Sequence, residues 1–331
     1  MPGTSRARAV FCYEAVFGPT TRGGSGNMRN TGTYFSGKSA IITGGSSGIG
    51  KAIARLLASN GASVFIVARD QEKLSGALRE IEGARITTEQ RFGAFRGDVT
   101  SFDELTAVVR AIVEADGPPD ILINSAGVVC PGYFEELPLS TFREQMDVNY
   151  FGTLHAIRAV LPYMMEQGQG HIVNLSSVAG AIGVFGYTGY AASKFAVRGF
   201  SEALRIELKP HNIRVSVVIP EDTDTPQLRG EREMQPLETR MTEGMVRPER
   251  LDGPRDALAY WFMRLFAGGG EDMTAEQVAE AVLKGMRRRR FLIAPDPLFG
   301  FAYPWRGLLI PVANWAFDRL VRLARRQRGT Q

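Results

Sequence analysis

A glycine cluster between an apolar run and an amphipathic segment constrains the fold of this chain more than any other feature. The apolar residues 40–43 precede Gly44, Gly48 and Gly50, and residues with helical spacing of apolar positions follow. A strand that leads through a glycine turn into a helix is the context in which proteins bind dinucleotides. Glycines let the backbone approach a pyrophosphate, whose negative charge the helix N-terminus stabilises. An ordinary glycine-rich turn is the alternative.

The chain then alternates short apolar segments with longer amphipathic ones, which indicates an α/β fold. Residues 121–123 and 215–219 are nearly all apolar, as in strands covered on both faces. Such alternation, with right-handed crossovers, predicts one doubly wound Rossmann-type domain whose parallel sheet binds its ligand at the carboxyl edge. The predicted strands are 39–43, 62–68, 91–96, 120–124, 170–176, 213–219 and 291–294, and the predicted helices are 48–59, 71–82, 101–115, 140–166, 189–208 and 274–287.

Composition divides the chain into three regions. Residues 1–36 are rich in Gly, Thr and Arg without periodicity, so we expect little structure there, and Met28 is an alternative start. No apolar stretch within that region is long enough for a signal peptide or a spanning helix. Residues 37–294 form the predicted Rossmann domain, with a substrate loop and an insertion of unassigned role at about 221–273. Residues 295–331 form a C-terminal extension.

A serine, a tyrosine and a lysine further along have the spacing of a proton-transfer group. Tyr190 and Lys194 lie four residues apart in a predicted helix, so their side chains share one face. A phenol has a pKa near ~10, and an adjacent ammonium lowers that pKa. Ser177 follows an apolar run and could hold a substrate oxygen against the phenol, with Ser176 as the alternative. Such a pair also occurs on ordinary helix surfaces, and the glycine turn is what favours catalysis.

Together these residues resemble the short-chain dehydrogenase/reductase family over residues 36–225. The spacing of Thr43, Gly44, Gly48 and Gly50 looks like the cofactor turn of that family. Asn124-Ser-Ala-Gly127 resembles its Asn-Ala-Gly element with one residue inserted. Asn149 matches the asparagine of the catalytic helix and completes a tetrad with the three residues named above.

The resemblance implies a role for each member of the tetrad. Tyr190 would donate the proton, and Ser177 would hydrogen-bond the reacting oxygen. Lys194 would lower the pKa of Tyr190 and bind the nicotinamide ribose. Asn149 would hold a water that links Lys194 to solvent.

The end of the second predicted strand bears on the choice between NADPH and NADH. NAD-binding folds usually place an acidic residue about twenty positions beyond the glycines, whereas this chain has Ala68 followed by Arg69. Arg69 can bind a 2′-phosphate through two hydrogen bonds, and Lys73 adds charge. Asp70 supports the alternative, since a shift of one residue would bring an acid to the site. The sequence favours NADPH.

Asp98 ends the third predicted strand, where the family binds the adenine edge. An N-cap for the predicted helix 101–115 is its competing role. With Asp98, the residues assigned to the cofactor are Gly44, Ser46, Ser47, Gly48, Ile49, Gly50, Arg69, Lys73, Asn124, Tyr190, Lys194, Thr223 and Thr225.

The segment after the sixth predicted strand bears on the substrate. Most reductases of the family have Pro-Gly here, and Glu221 departs from that pattern. Pro-Glu-Asp-Thr-Asp-Thr-Pro at 220–226, with Pro-Leu-Glu-Thr-Arg at 236–240, resembles the 3-ketodihydrosphingosine reductase branch. That resemblance implies a long-chain sphingoid ketone as substrate and places Thr223 and Thr225 near the nicotinamide carboxamide. For each of these residues taken singly, a place in an ordinary polar turn before a flexible substrate loop is the alternative interpretation.

Two other functions compete with this interpretation. One is reduction of another lipophilic ketone, such as a steroid, retinoid or 3-oxoacyl compound. The other is a sensor or scaffold that binds NADPH without turnover, against which the intact tetrad argues. The predicted helices 140–166 and 189–208 form the dimer bundle in many relatives, so the resemblance implies a homo-oligomer, either a dimer or a tetramer.

The C-terminal extension combines aromatic residues with arginines, as interfacial segments do. Spanning a bilayer takes about 20 apolar residues, which the extension lacks, and its prolines at 295, 297, 304 and 311 oppose a continuous helix. We therefore expect a cytoplasmic protein that associates peripherally with a membrane. Lining the active-site mouth or a subunit interface is the alternative. Three interpretations are open for the arginines at 287–290: they complement the dipole of the preceding helix, they bind anionic lipid, or they form a solvated turn.

Composition bears on metals and nucleic acid. Two cysteines and three histidines without ligand spacing predict neither a disulfide framework nor a metal site. The formal net charge of +4 is modest and is concentrated near the C-terminus, so we expect no nucleic-acid partner.

Overall fold

The computed structural model describes residues 34–240, 253–266 and 272–328. The predicted N-terminal segment therefore lies almost wholly outside the described residues, as do Met28 and much of the insertion at 244–272.

A parallel sheet of seven strands, in the order β3-β2-β1-β4-β5-β6-β9, organises the described part of the chain. Every neighbouring pair in it is parallel. This order confirms the predicted doubly wound α/β class. Its strands are β1 Ser39–Thr43, β2 Ser63–Ala68, β3 Phe92–Arg96, β4 Ile121–Asn124, β5 Gly170–Leu175, β6 Ile213–Val218 and β9 Leu292–Ile293, and a separate parallel pair consists of β7 Thr223–Asp224 and β8 Met273–Thr274.

Helices cover both faces of the sheet. They are α1 Gly48–Ala58, α2 Gln71–Glu82, α3 Phe102–Asp116, α4 Leu139–Met146, α5 Gly152–Gln167, α6 Thr188–Leu208, α7 Pro226–Met234, α8 Leu237–Arg240, α9 Pro254–Phe266, α10 Ala275–Arg287, α11 Pro297–Ala302 and α12 Arg306–Arg328. Short 3₁₀ turns occupy Val178–Gly180, Lys209–His211 and Tyr303–Trp305.

Alternate residues of each central strand enter different layers of core, because successive side chains of a strand point to opposite faces. Ile42 packs in the same cluster as Leu57 of α1 and Val282 of α10. Ile41 packs instead with Val109 of α3 and Val160 of α5. Full burial of a side chain of this size stabilises the fold by about 1.5–3 kcal/mol. Both faces are therefore apolar, which explains the nearly continuous apolar strands of the sequence.

The predicted helix 140–166 is interrupted by a π-helical segment, Asp147–Phe151, between α4 and α5. The amide of Gly152 donates to the carbonyl of Asp147, five residues earlier. Gly152 also packs tightly, since a Cβ there would lie 2.6 Å from a methyl carbon of Val99. The spacing of apolar residues does not reveal a helical turn that contains one extra residue. The prediction of one uninterrupted helix was therefore wrong here.

Helix α12 crosses Pro311, so the expectation that prolines prevent a continuous helix was wrong for Arg306–Arg328. A proline inside a helix costs about 3 kcal/mol, and packing against α9 offsets that cost. Ala316 and Leu320 of α12 are buried in one cluster with Tyr260 of α9. Within the described ranges, no helix is long and apolar enough to cross a bilayer.

A partly buried ion pair joins the same two helices. Arg319 of α12 donates to the carboxylate of Asp256, which is 1% exposed. The part of the C-terminal extension in α12 and the part of the insertion in α9 thus form one helical pair.

Candidate active site

The turn between β1 and α1 accepts only glycine at two positions. Gly44 has φ +69°, and a Cβ there would lie 2.6 Å from the amide nitrogen of Ala126. At Gly50, a Cβ would lie 2.4 Å from the carbonyl oxygen of Gly44. Because real Cβ atoms do not approach backbone this closely, the two glycines hold the turn against the start of α1 and the loop after β4. This is the close backbone packing of a dinucleotide-binding turn.

The N-terminus of α1 has the features of an anion site. Ser47 is its N-cap and is exposed, yet its hydroxyl makes no capping hydrogen bond. Ser46 is half-buried beside it, and Ile49 packs on the core below the turn. The first amides of a helix and its dipole favour negative charge. With the glycine cradle, these residues fit the pyrophosphate of a nicotinamide dinucleotide.

Thr225 lies against this turn. A Cβ on Gly48 would lie 3.1 Å from the Thr225 methyl carbon, while the Thr225 hydroxyl caps α7 by accepting from the Leu228 amide at 3.2 Å. Thr223 is buried in β7, where its hydroxyl donates to the Glu221 carbonyl at 2.9 Å. The structure therefore brings Thr225 to the glycine turn. The predicted role of either threonine at the carboxamide stays a prediction.

At the end of β2, Arg69 is exposed, whereas the carboxylate of Asp70 caps the next helix. The Asp70 carboxylate caps α2 by accepting from the amides of Glu72 and Lys73, each at 3.0 Å. The hydrogen bond from the Lys73 amide is the largest of the effects that lower the pKa of Asp70. The Lys73 ammonium lies 3.6 Å from the same carboxylate. The structure thus leaves the Arg69 side chain exposed beside the sheet edge.

Asp98 does not cap the helix that follows it. Its carboxylate accepts from the amide and the hydroxyl of Thr100, both at 2.9 Å, and braces the turn after β3. The N-cap of α3 is Ser101, whose hydroxyl accepts from the Glu104 amide at 3.3 Å. The competing N-cap role of Asp98 was therefore wrong, and its predicted adenine contact stays a prediction.

Asn124 is buried at the end of β4 and joins neighbouring strands. Its amide donates to the Asn174 side-chain oxygen at 2.8 Å, and the Asn174 amide donates to the Ser201 hydroxyl of α6 at 2.9 Å. This chain of side chains ties the sheet to the helix that carries Tyr190. Asn174 and Ser201 were not predicted, because neither an asparagine in a strand nor a serine in a helix carries a local signal of such a network.

Ser177, Tyr190 and Lys194 converge at the carboxyl end of β5. The Ser177 side chain lies close enough to Tyr190 to favour its phenolate form. The Lys194 ammonium lies 5.5 Å from the centre of the Tyr190 ring and donates to the Leu175 carbonyl at 3.1 Å. Ser176, the alternative to Ser177, is buried and donates to the backbone of α6 instead.

Burial shifts the pKa of each of these two groups in the direction that favours its neutral form. It raises the pKa of Tyr190, the nearby charge of Glu231 raises this pKa further, and the Ser177 side chain opposes both effects. Burial lowers the pKa of Lys194 to about 8. The predicted lowering of the Tyr190 pKa is therefore not found, because the loss of hydration around the phenolate outweighs the favourable contacts.

Asn149, in the π-helical segment, uses its side chain to fix the loop after β4. Its oxygen accepts from the Val128 amide at 2.8 Å, and its nitrogen donates to the Val128 carbonyl at 2.9 Å and to the Ser193 hydroxyl at 2.8 Å. A Cβ on Gly127 would lie 3.1 Å from Asn149 Oδ1 and 3.5 Å from Lys194 Nζ. Asn149 and Lys194 therefore flank Gly127. The predicted water contact of Asn149 stays a prediction.

The substrate loop adds two carboxylates that the sequence reasoning did not assign to catalysis. Glu221 is half-buried, and burial, followed by the charges of Asp296 and Asp222, raises its pKa to about 8. Glu231 of α7 accepts a hydrogen bond from Tyr187, three residues before Tyr190. A glutamate in a polar loop carries no sequence signal of burial, so only the packing of α7 reveals Glu231.

Sequence comparison identifies relatives over most of the Rossmann domain. A family profile described as short chain dehydrogenase matches residues 38–236. A Danio rerio protein named 3-dehydrosphinganine reductase is 43% identical over 219 residues, which are 65% of this chain and 66% of the relative. The chain thus spans just under two thirds of that relative's length. A Dictyostelium discoideum protein named 3-ketodihydrosphingosine reductase is 35% identical over 282 residues, covering 81% of this chain and 77% of that one.

Solved structures give the same picture of the fold. A short chain dehydrogenase/reductase from Burkholderia phymatum, solved in complex with NAD, superposes with a TM-score of 0.67 at 27% identity, covering 84% of this chain and 95% of that one. The structure of levodione reductase superposes with a TM-score of 0.66 at 25% identity, covering 81% of this chain and 100% of that one.

Proposed function

Because this chain belongs to the short-chain dehydrogenase/reductase family, we propose that it reduces the C3 ketone of 3-ketosphinganine to sphinganine with NADPH. One observation carries the proposal. The similarity to proteins named for this reaction extends through a site where Ser177 and Tyr190 lie close together and Lys194 lies beside the Tyr190 ring. The neighbour solved with NAD supports a nicotinamide cofactor.

The proposed chemistry divides between cofactor and protein. When bound, the reduced nicotinamide supplies a hydride to C3, whose carbonyl electron pair moves onto oxygen. Tyr190 gives its proton to that oxygen, which completes the alcohol, and the phenolate then regains a proton from solvent. Ser177 donates a hydrogen bond to the same oxygen and fixes its position. Burial raises the pKa of Tyr190, so the phenol is protonated at neutral pH, as a reductase requires.

Lys194 offsets the charge that forms on Tyr190. Its ammonium lies beside the phenol ring, and a cation there stabilises the phenolate left after proton transfer. Because the pKa of Lys194 is about 8, most of this group is charged at neutral pH.

We propose NADPH rather than NADH on the basis of Arg69. The exposed guanidinium of Arg69 lies where a ribose 2′-substituent is recognised in this fold. Asp70, the acid that could favour NADH, is occupied by the cap of α2. An arginine suits a 2′-phosphate because it donates two parallel hydrogen bonds to phosphate oxygens.

We also propose that the C-terminal helices contact a membrane surface, where a long-chain ketone resides. Phe301, Trp305 and Leu308 are 75%, 58% and 73% exposed, and Ile310 and Val312 continue the exposed apolar series along α12. Exposed apolar clusters of this kind mark protein or membrane contacts.

A homo-oligomer, either a dimer or a tetramer, is the proposed assembly. Phe151, Phe195 and Ile206 are exposed apolar residues on the helices that form the predicted bundle. Light scattering of the purified protein tests this assembly, and a monomer over the working concentration range would contradict it.

The substrate is tested by absorbance at the nicotinamide band. Purified protein would meet 3-ketosphinganine in mixed micelles with NADPH and NADH in parallel, and sphinganine would be identified by mass spectrometry. We expect rapid NADPH oxidation with sphinganine formed. If NADPH is oxidised only with a steroid, a retinoid or a 3-oxoacyl ketone, the substrate belongs to that class instead.

The proton donor is tested by Tyr190→Phe. We expect this variant to lose turnover, because no other group in the described site replaces the phenol proton, while NADPH affinity stays within about threefold. Fluorescence titration of NADPH measures the affinity. Turnover by this variant near the wild-type rate would exclude Tyr190 as donor.

A further inference from the structure

A carboxylate on the substrate loop is held next to the proton donor. Glu231 of α7 accepts a hydrogen bond from the Tyr187 hydroxyl, and Gln235 donates to that hydroxyl at 2.7 Å. The Tyr187 and Tyr190 ring centres are 6.0 Å apart. Because Tyr187 is the residue before α6, this hydrogen bond anchors α7 directly over the start of the catalytic helix.

Within the described residues, this carboxylate is not paired directly with a cation. Arg232, its neighbour in sequence, forms two hydrogen bonds with Asp272, at 2.8 and 2.5 Å. No described lysine, arginine or histidine forms an ion pair with Glu231. Burial raises the pKa of Glu231 to about 7, opposed by the hydrogen bond from Tyr187 and, to a smaller extent, by the charge of Arg232. A half-buried carboxylate without a cation is costly unless a ligand supplies one.

The charge of Glu231 also acts on the reaction itself. It raises the pKa of Tyr190, which makes the phenolate left after proton transfer harder to form. A cation that bound between the two groups would cancel this effect. The 3-ketosphinganine of the proposed function carries an amino group on C2, the carbon next to the reacting ketone, and an ammonium there would occupy that position.

Resting on that proposed function, we propose that the Glu231 carboxylate binds the C2 ammonium of the substrate and thereby selects 2-amino ketones. The Tyr187 hydroxyl fixes one carboxylate oxygen, which leaves the other for the ammonium. Placing the amino group fixes the rotation of the neighbouring C3 ketone towards Tyr190. Lipophilic ketones without the amine would gain nothing from this contact.

The test compares two substrates in each preparation: 3-ketosphinganine and the ketone of identical chain with hydrogen in place of the amine. The variant is Glu231→Gln, whose amide oxygen still accepts from Tyr187. Its control is Glu233→Gln, an exposed glutamate of the same helix. The measured quantity is the ratio of kcat/KM for the amino ketone to that for the deamino ketone, from which any loss of folded protein cancels.

We expect Glu231→Gln to lower this ratio at least about tenfold, mainly through KM of the amino ketone. We expect Glu233→Gln to leave the ratio unchanged, and Glu231→Asp, which keeps the charge, to retain part of it. An unchanged ratio in Glu231→Gln would overturn the inference and reduce Glu231 to a brace for α7.

Wild-type behaviour separates this inference from the proposed function. If wild-type protein reduces both ketones equally well, the reductase activity stands and the role of Glu231 is overturned. If it reduces neither, the proposed function fails and the inference fails with it.

Discussion

At the scale of single residues, burial controls which protonation states the site can hold. Lys194 is buried and Tyr190 is half-buried, and the loss of hydration disfavours the ammonium and the phenolate. The protein therefore carries a stability cost in order to keep a lysine beside the proton donor. Catalytic groups are commonly held at this kind of cost, since a well-solvated lysine would not stabilise a phenolate as strongly.

We expect Lys194→Met to abolish turnover and to stabilise the cofactor-free protein at pH 7. Burial lowers the pKa of Lys194 from its usual 10.5 to about 8, so charging it in the fold costs about 3 kcal/mol below pH 8. Above pH 8 the folded state loses this proton before the unfolded state does. Wild-type stability therefore rises relative to the variant as pH increases towards 10.5.

Chemical denaturation at pH 7 and pH 9 measures this effect. The stability advantage of Lys194→Met should shrink by about 1 kcal/mol between the two pH values. Lys284→Met is the control, because Lys284 is exposed on α10 and lacks the buried surroundings of Lys194. An advantage that grows with pH would contradict the direction of the Lys194 shift.

We expect Arg69→Ala to raise KM for NADPH about 10- to 100-fold and to leave KM for NADH within about twofold. The physical reason is the loss of a charge-assisted contact to the 2′-phosphate. Arg79→Ala, at the far end of α2, is the exposed control. Equal effects on both cofactors would assign Arg69 to general attraction of anions rather than to recognition of the phosphate.

At the scale of elements, the turn before α1 depends on glycine backbone conformation. We expect Gly44→Ala to cost about 2 kcal/mol or more and to abolish NADPH binding, because its φ of +69° is strained for alanine and a Cβ would strike the Ala126 backbone. Gly76→Ala in α2 is the matched control. A Cβ at Gly76 meets nothing within 4 Å, so this change should stabilise the protein by about 0.5–1 kcal/mol.

Chemical denaturation and NADPH fluorescence titration check both variants. Normal NADPH affinity in Gly44→Ala would mean that the turn relaxes without disturbing the cofactor site.

The elements of the sheet could be predicted because they are encoded locally. Strands β4 and β6 are mainly apolar, with Arg214 and Ser216 as the polar residues inside β6, and the helices between them have apolar residues at helical spacing. The π-helical segment at Asn149 could not be predicted in this way. It is stabilised by contacts with Val128 and Ser193, which come from distant parts of the chain.

The same distinction between local and long-range contacts decides which site residues could be predicted. Gly44, Tyr190 and Lys194 could be identified because the backbone turn and the helical spacing are local properties. Glu231 could not, because its importance arises only when α7 folds over Tyr187. The Tyr190 pKa was mispredicted for a related reason, since the extent of burial depends on the whole packed site.

At the scale of the whole molecule, the C-terminal helices connect the fold to the proposed membrane surface. We expect the combined change Phe301→Ser, Trp305→Ser and Leu308→Ser to weaken binding to anionic vesicles at least about tenfold, because three exposed apolar side chains lose their transfer free energy. Turnover of a micellar short-chain ketone should stay near wild type. Vesicle co-sedimentation measures the binding.

Ile86→Ser is the control for this change, since Ile86 is 59% exposed in the loop after α2. Equal vesicle binding by the triple variant and wild type would exclude the C-terminal helices as the contact surface.

Two late elements of the chain, α10 and β9, complete a layer that its first elements begin. Leu57 of α1 shares its core with Val282 and Met286 of α10, and β9 extends the sheet beyond β6. A nascent chain that has reached residue 240 holds every member of the tetrad but not this covering layer. Domains fold as units during synthesis. We therefore expect ribosome-bound chains to expose this apolar surface to chaperones until α10 emerges, and premature stop codons before β9 to yield degraded protein rather than a shorter enzyme.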